Sequence, residues 1–404
     1  YSPVEGIYTC PTCGGNLDVV LDYDQIQRTT SISEITASHE LSLWRYSPLL
    51  PVLDPGGQHT PIHAAGWTPI FEPWQLGRNL GMKKLLVKDE GRNPTASFKD
   101  RASAVVVARA REINAGVVVT ASTGNAGAAL AGMAAAIDQK AVIFAPKTAP
   151  PAKIAQLLIY GADVILVDGN YDSAFDLTIE AAHEFGWYCR NTGYNPFTLE
   201  GKKTGAFEIW EQVILKSKDQ DAPLNVFVSV GDGNIISGLH KGFKDLRELG
   251  WLKQMPRLFG VQSEKSAAIA NAYDDKTETI TPVSATTIAD SISVDLPRDG
   301  VRAVRAAVET NGAYVKVKDE AIIEAIADLG KDGIFCEPAG STAFAGVKKA
   351  LSEKLINPED DVLIINTGNG LKDVRAAMMA VNDATIIEPT MAALRKHLKE
   401  KGSL

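Results

Sequence analysis

The sequence predicts an α/β protein with parallel sheets, because continuous apolar runs alternate with helical runs along most of its 404 residues. The predicted strands are residues 85–87, 117–121, 141–145, 163–167, 225–230, 258–262 and 361–365. The predicted helices are residues 125–137, 152–160, 173–185, 199–215, 235–249 and 372–380. Strands that are apolar along their whole length are buried on both faces, which is typical of parallel strands joined by helical crossovers.

Composition indicates a soluble globular enzyme of two or more domains, with 45% hydrophobic and 22% charged residues. The formal net charge of −8 argues against nucleic acid as a partner. No apolar run is long enough to span a bilayer, and the first residues lack a basic region and an apolar signal core. Four cysteines are too few for a disulfide scaffold, so we expect a cytoplasmic protein that has no membrane partner.

The N-terminal 60 residues predict a knuckle followed by an extended arm. Cys10 and Cys13 are separated by two residues and followed by two glycines, as in a zinc ribbon. A structural zinc site needs four ligands and no second cysteine pair follows, so this is half a zinc site or a turn without metal. In the arm, Trp44 and Tyr46 suggest a dimer contact.

Residues 88–101 contain a lysine in an unusual position for a helix. Asn93 precedes a proline, which favours extended backbone, and Thr95 or Ser97 can cap the helix that follows. Lys99 would then lie in the first helical turn, where the partial positive charge of the helix N-terminus disfavours a protonated amine. Such an amine is suited to Schiff-base chemistry, and a solvated surface lysine is the alternative.

Two loops that join a strand to a helix have the residues of anion sites. In the first, Ser122, Thr123 and backbone amides can hold a carboxylate or phosphate, and Asn125 adds an amide; an ordinary helix cap is the alternative. In the second, Gly231 and Gly233 allow the backbone to approach an anion closely. The second loop lacks the Gly-x-Gly-x-x-Gly spacing of dinucleotide sites and the Gly-Lys-Ser/Thr of a Walker loop, so a single phosphate fits it better.

A third loop places the hydroxyl of Thr367 directly after a buried strand. Loops that follow parallel strands meet at one carboxyl edge of a sheet. There they would supply an amine for an aldehyde, a phosphate cradle, an amide for a phenolic oxygen and a hydroxyl for a ring nitrogen. Together these groups predict a pyridoxal phosphate site.

The run Asn-Pro-Thr-Ala-Ser-Phe-Lys-Asp-Arg at 93–101 resembles the motif of fold-type II pyridoxal-phosphate enzymes, and within them of the threonine synthase family, with Ala96 in place of glycine. The resemblance covers residues 43 to 373. It implies that Lys99 is the catalytic Schiff-base lysine. It implies cofactor contacts from Phe98, Lys99, Asn125, Gly231, Asp232, Gly233, Asn234, Ile235 and Thr367. It implies substrate contacts from Ser122, Thr123, Gly124, Asn191, Thr198 and Glu337.

The same resemblance implies two open α/β domains with parallel sheets and an active site in the cleft between them. A large cofactor-binding domain would comprise residues 61–103 and 195–404, and a smaller mobile domain residues 104–194. The knuckle and arm would occupy residues 1–60. A homodimer is expected.

The resemblance implies conversion of O-phospho-L-homoserine and water to L-threonine and phosphate, by γ-elimination and then β-addition. Ala126 and Thr198 stand where many threonine synthases have Thr and Arg. Both differences favour an alternative, a β-eliminating or β-replacing enzyme such as a serine/threonine dehydratase-like lyase. A non-catalytic binding protein is a third hypothesis, which the presence of Lys99, Asn125 and Thr367 disfavours.

Overall fold

A computed structural model describes residues 1–2, 6–122, 124–149, 151–218 and 222–402, with only the backbone of 152 and 171. The strands in these residues are β1 (Ile70–Phe71), β2 (Lys84–Asp89), β3 (Val117–Ala121), β4 (Lys140–Pro146), β5 (Asp163–Val167), β6 (Tyr188–Cys189), β7 (Asn225–Ser229), β8 (Arg257–Ser263), β9 (Ala313–Val317) and β10 (Asp361–Asn366). The helices before β7 are α1 (Tyr23–Thr29), α2 (Ile32–Ala37), α3 (Trp74–Asn79), α4 (Lys99–Glu112), α5 (Asn125–Ala135), α6 (Pro151–Ile159), α7 (Tyr171–Phe185) and α8 (Phe197–Ile209). The later helices are α9 (Asn234–Glu248), α10 (Ala268–Asp274), α11 (Gly300–Glu309), α12 (Asp319–Lys331), α13 (Pro338–Ser352), α14 (Val374–Met379) and α15 (Met391–Glu400).

The described strands form two sheets, in the orders β1-β2-β10-β7-β8-β9 and β5-β4-β3-β6. Every neighbouring pair is parallel except β1 with β2. Asp89 at the end of β2 pairs with Asn366 at the end of β10, so the loops that follow these strands leave the sheet side by side. The structure confirms the predicted α/β class with parallel sheets.

Each predicted strand and helix is present, with ends that differ by a few residues. The sequence pattern missed β1, β6, β9, helices α1 to α3 and helices α10 to α13, so the arm that was expected to be extended contains α1 and α2. Strand β6 has only two residues, and β9 carries the half-buried Lys316 at its fourth position, so neither forms a continuous apolar run.

The predicted dimer contact through Trp44 and Tyr46 is wrong, because both side chains are buried within their own chain. The indole Nε1 of Trp44 donates to the carbonyl of Ile62 at 3.0 Å, and the hydroxyl of Tyr46 donates to Glu211 at 2.7 Å. The arm therefore packs on the chain that carries it.

Helix α4 contacts α8 beside the six-stranded sheet and α5 beside the four-stranded sheet, so it belongs to both halves of the molecule. The domain boundary predicted at 103/104 falls inside this helix. That boundary and the one at 194/195 stay predictions. Within the described ranges, no helix combines the length and the apolar composition that crossing a bilayer requires.

Candidate active site

A cavity of about 510 Å³ lies where the carboxyl edges of the two sheets face each other. Ten of the residues predicted from the sequence line it: Lys99, Ser122, Gly124, Asn125, Gly231, Asp232, Gly233, Asn234, Ile235 and Thr367. Residues separated by more than 260 positions in the chain thus surround one space. The three predicted loops do converge.

Lys99 is the first residue of α4, as the sequence predicts, but neither Thr95 nor Ser97 caps the helix. Instead Asp100 reaches back, and its carboxylate accepts hydrogen bonds from the backbone amide and the hydroxyl of Thr95. The amide of Phe98 donates to the carbonyl of Thr367 at 2.9 Å, which fixes the helix start to the loop after β10. The lysine and the Thr367 loop are therefore held as one unit.

The turn before Lys99 contains a strained residue, because Ala96 has φ +66°. A Cβ in this left-handed region costs about 1–2 kcal/mol, against a gain of about 0.4–1 kcal/mol from the stiffer unfolded chain. We expect Ala96→Gly to raise the free energy of unfolding by about 0.5–1 kcal/mol, measured by urea denaturation. The matched control is Ala327→Gly inside α12, which should lower stability by about 1 kcal/mol. If both variants lost stability, the inference that the backbone of Ala96 is strained would be contradicted.

The electrostatics of the cavity favour a neutral amine at Lys99. Burial lowers the pKa of Lys99; Glu337 opposes this shift, Arg190 adds to it and Asp232 opposes it. A neutral amine is the form that acts as a nucleophile or accepts a proton.

The loop 231–235 has glycine at two crowded positions, where other segments of the chain pack directly against its backbone. Gly233 has φ +90°, and a Cβ there would lie 2.8 Å from the carbonyl oxygen of Asp299. A Cβ on Gly231 would lie 2.8 Å from Cα of Ile292. Helix α9 begins within this loop, at Asn234, so its first amides lie at the cavity end of the helix without intrahelical partners.

Asn234 ties this loop to its surroundings. Its side-chain amide donates to Asp299 at 2.8 Å, and its Oδ1 accepts from the buried ammonium of Lys202. Burial, with the charges of Arg190 and Lys99, lowers the pKa of Lys202 well below its usual value. An anion beside these cations would restore their charge.

Asn125 and Glu337 form a buried contact at the edge of the cavity. The Nδ2 of Asn125 donates to Oε1 of Glu337 at 2.8 Å, and burial raises the pKa of that carboxyl. Glu337 itself lines a smaller adjoining pocket that it shares with Gly124 and Asn125. A carboxyl with a raised pKa can hold a proton near the reacting groups.

Three predicted residues of the described ranges line neither space. The Oδ1 of Asn191 accepts from the hydroxyl of Thr120 and the amide of Ala121, so it fastens the end of β3. The hydroxyl of Thr198 donates to the carbonyl of Asn195 at 2.8 Å in the first turn of α8. Phe98 is fully buried beneath Lys99. Thr123 lies outside the described residues.

Arg190 and Arg298 also line the cavity, and the sequence pattern missed both. Arg190 is buried at the end of β6; its Nε donates to Ser103 at 3.2 Å and its Nη1 to Thr192 at 2.6 Å. The sequence feature that could have identified Arg190 is its position directly after a strand. That strand has only two residues, so it gives no recognisable sequence pattern. Arg298 lies in the irregular segment before α11, where spacing carries no information.

The cavity fits pyridoxal phosphate. It offers a lysine of lowered pKa, a glycine loop at a helix N-terminus for the phosphate, and the Thr367 hydroxyl. It also contains the buried Oγ of Ser229, which has no hydrogen-bond partner among the described residues and so awaits one from a ligand.

Cys10 and Cys13 lie on one tight turn, in which the amide of Gly14 donates to the carbonyl of Cys10 at 2.8 Å. Hydrogen bonds from Tyr1 and from the amides of Cys13 and Thr12 lower the pKa of Cys10 to about 6. In the part of the chain that the structure describes, no three His, Cys, Asp or Glu side chains come together as a metal site.

Comparison with known proteins also points to a pyridoxal-phosphate dependent enzyme. The family model described as pyridoxal-phosphate dependent enzyme matches residues 62–368. A threonine synthase of Methanocaldococcus jannaschii is 39% identical over 99% of this chain and 97% of that protein, and one of Methanosarcina acetivorans is 36% identical over 98% and 95%. The solved threonine deaminase isoform 2 of Solanum lycopersicum, in its processed form, has a TM-score of 0.69 and 23% identity, covering 84% of this chain and 94% of that one, which is a likeness of fold.

Proposed function

The chain belongs to the pyridoxal-phosphate dependent enzymes and, among them, to the threonine synthases, and on that premise we propose that it converts O-phospho-L-homoserine and water to L-threonine and phosphate. In this reaction phosphate leaves the γ-carbon and water adds at the β-carbon. The observation that carries the proposal is the pair of buried basic side chains, Arg190 and Lys202, in the lining of one cavity. A cofactor phosphate and a substrate phosphate together would balance these cations.

We propose that the loop 231–235 and Lys202 hold the cofactor phosphate, that Asn125 meets its phenolic oxygen, and that Thr367 meets its ring nitrogen. The bound cofactor supplies an electron sink for the substrate carbons. A neutral hydroxyl at Thr367 cannot protonate the ring nitrogen as a carboxylic acid would, which favours elimination and replacement over transamination. Phe98 fixes the backbone beneath Lys99.

In the proposed mechanism, the Nζ of Lys99 removes and returns protons at the substrate carbons. Burial lowers the pKa of this amine, which favours its neutral form. Ser122 and the amide of Gly124 are proposed to bind the substrate carboxylate at the end of β3. The Glu337 carboxyl holds Asn125 in place, which orients the amide toward the cofactor position.

Arg190 is proposed as the cation for the substrate phosphate, because Thr198 is turned to Asn195 and cannot replace an arginine fork. We expect Arg190→Met to raise the KM for O-phospho-L-homoserine by about 10–100-fold, since a charged hydrogen bond contributes about 1.5–3 kcal/mol. Lys202→Met should instead weaken cofactor binding, measured by titration of the apoenzyme. The control Arg305→Met removes an exposed ion pair with Glu278 and should change neither. If Arg190→Met and Lys202→Met changed the substrate KM and the cofactor affinity equally, the separate roles proposed for these two cations would be contradicted.

Substrate profiling tests the proposed function. Purified enzyme should release phosphate from O-phospho-L-homoserine and form threonine, with little keto acid from serine or threonine. Formation of keto acid alone would establish the alternative, a dehydratase-like lyase, which the engaged hydroxyl of Thr198 and the presence of Ala126 favour.

We also propose a cytoplasmic homodimer. All four cysteines are free thiols, as is usual in a reducing compartment. Leu371, Met379 and Ile386 are exposed along the C-terminal stretch, and an apolar surface of this kind suits contact with a second copy. Light scattering should give twice the mass of the chain.

A further inference from the structure

The N-terminal knuckle has a place in the fold that its incomplete metal site does not explain. We call residues 8–18 the knuckle hairpin. Thr9 pairs with Asn16 across it, and the amide of Cys10 donates to the carbonyl of Gly15 at 2.8 Å. The turn is thus closed by backbone hydrogen bonds that need no metal ion.

One side of the knuckle hairpin is attached to the segment that carries Arg190. The hydroxyl of Tyr8 accepts a hydrogen bond from the amide of Cys189 at 2.9 Å, and its ring stacks on Tyr194 with centroids 4.7 Å apart. Cys189 directly precedes Arg190. The position of Tyr8 therefore affects the position of the backbone from which the Arg190 side chain extends.

The other side of the knuckle hairpin is attached to the cavity wall on the side of the six-stranded sheet. Arg302 donates to the carbonyl of Leu17 at 2.7 Å and pairs with Asp18 at 3.2 Å. The same guanidinium pairs with Asp299, which in turn holds Asn234 at the start of α9. The knuckle hairpin is linked through these groups to the loop 231–235.

Asn16 joins the two walls directly. Its Nδ2 donates to the carbonyl of Gly193 at 2.6 Å and to the carbonyl of Arg298 at 3.3 Å. The walls touch here, because a Cβ on Gly193, which has φ +73°, would lie 2.5 Å from Cβ of Arg298. Only a donor satisfies both carbonyls, so an isosteric acceptor would repel them.

Arg298 is the second cavity cation held at this junction. Its amide donates to Asp232 at 3.3 Å, and its side chain contacts Asp172 at 3.3 Å and lies 5.0 Å from the ring of Phe175 on α7. Its backbone carbonyl is the one that Asn16 binds. The guanidinium thus extends from the six-stranded wall to the four-stranded one.

We infer that Asn16 is a positioning residue, through which the knuckle hairpin fixes Arg190 and Arg298 around the phosphate group of the substrate. This inference rests on the proposed function for the identity of that substrate. It gives the Cys-x-x-Cys turn a structural role. The turn is a rigid support for the knuckle hairpin, whose contacts with the two sides of the cavity depend on the hydrogen bonds of Asn16 and Tyr8.

The test compares Asn16→Asp and Asn16→Ala with the wild-type holoenzyme. Loss of the two hydrogen bonds through which Asn16 aligns the cations should raise the KM for O-phospho-L-homoserine about 10-fold and leave kcat within about 2-fold. Calorimetric affinity for inorganic phosphate should fall in parallel, while cofactor affinity stays unchanged. The control is Gln27→Ala, which removes a hydrogen bond from the arm to the carbonyl of Glu248, a contact that involves none of the residues at this junction.

A uniform fall in stability, cofactor affinity and kcat, with KM unchanged, would mark a structural role and overturn the inference. Unchanged phosphate affinity in Asn16→Asp, or no phosphate binding by the wild type, would also overturn it. The proposed function fails separately, if the wild type makes no threonine from O-phospho-L-homoserine. The effect of Asn16 on phosphate affinity is measurable in that case too.

Discussion

Lys99→Ala is expected to lower kcat by at least about 10³-fold and to remove the visible absorbance of the lysine-bound cofactor, because we propose that this position carries the amine that links the cofactor and moves protons. Lys99 lines the same cavity as the loop 231–235. The Phe98–Thr367 backbone hydrogen bond does not involve its side chain, so the variant should fold with unchanged stability. Absorbance spectra and single-turnover phosphate release are the measurements.

A matched control variant separates the loss of the Lys99 amine from the loss of a positive charge elsewhere in the protein. Lys84→Ala removes a partly exposed ion pair with Asp361 and should keep activity within about 2-fold. The loop 231–235 is intact in Lys99→Ala, so the variant should still bind the cofactor, now reversibly. A small alkylamine added to this variant should restore part of the activity. Full activity without the amine would assign the proton transfers to another group.

The sequence predicted the elements of this fold wherever burial on both faces leaves a continuous apolar run, as at Val117–Ala121, where prediction and structure coincide. It predicted the three loops because glycine and small polar residues directly follow such strands. It did not predict Arg190, since β6 has two residues and gives no periodic signal.

Contacts between segments distant in the chain were also beyond the sequence. Asn16 meets Gly193 and Arg298 through a side-chain amide whose partners are backbone carbonyls, which no residue pattern encodes. The expected cap at Thr95 or Ser97 was wrong: no side chain caps α4, and the amide and hydroxyl of Thr95 donate to the Asp100 carboxylate instead. Local propensity identifies groups that can bond; packing decides which do.

Glu208→Gln is expected to lower the free energy of unfolding by about 3–5 kcal/mol, because it breaks a fully buried ion network beneath the active site. Glu208 pairs with Arg101 and with Lys88, at 2.7 Å for Lys88, and Arg101 also pairs with Glu90 at 2.8 Å. All four side chains are buried. Removing one carboxylate leaves two cations facing one anion. Urea denaturation at pH 7 measures the loss.

Arg101→Met tests the network from the other side and should cost a similar amount, since it leaves Glu90 and Glu208 with only Lys88. A double variant should lose less than the sum of the single losses, because its remaining pair is balanced. Arg305→Met is the exposed control and should change stability by less than about 1 kcal/mol. Additive losses in the double variant would contradict a coupled network.

The acid limb of stability tests the same network without disturbing its packing. The neighbouring cations outweigh the effect of burial and lower the pKa of Glu208 from 4.5 to about 2. A carboxyl whose pKa is lower in the folded state stabilises the fold above its unfolded pKa, and this stabilisation is lost as pH falls through the folded value. The stability difference between wild type and Glu208→Gln should therefore be constant above about pH 5 and shrink progressively toward pH 2. Burial raises the pKa of Asp100 to about 6, an effect of opposite sign that both proteins share and that cancels in the difference. A difference that stayed constant down to pH 2 would mean that Glu208 does not carry the charge that holds Lys88 and Arg101.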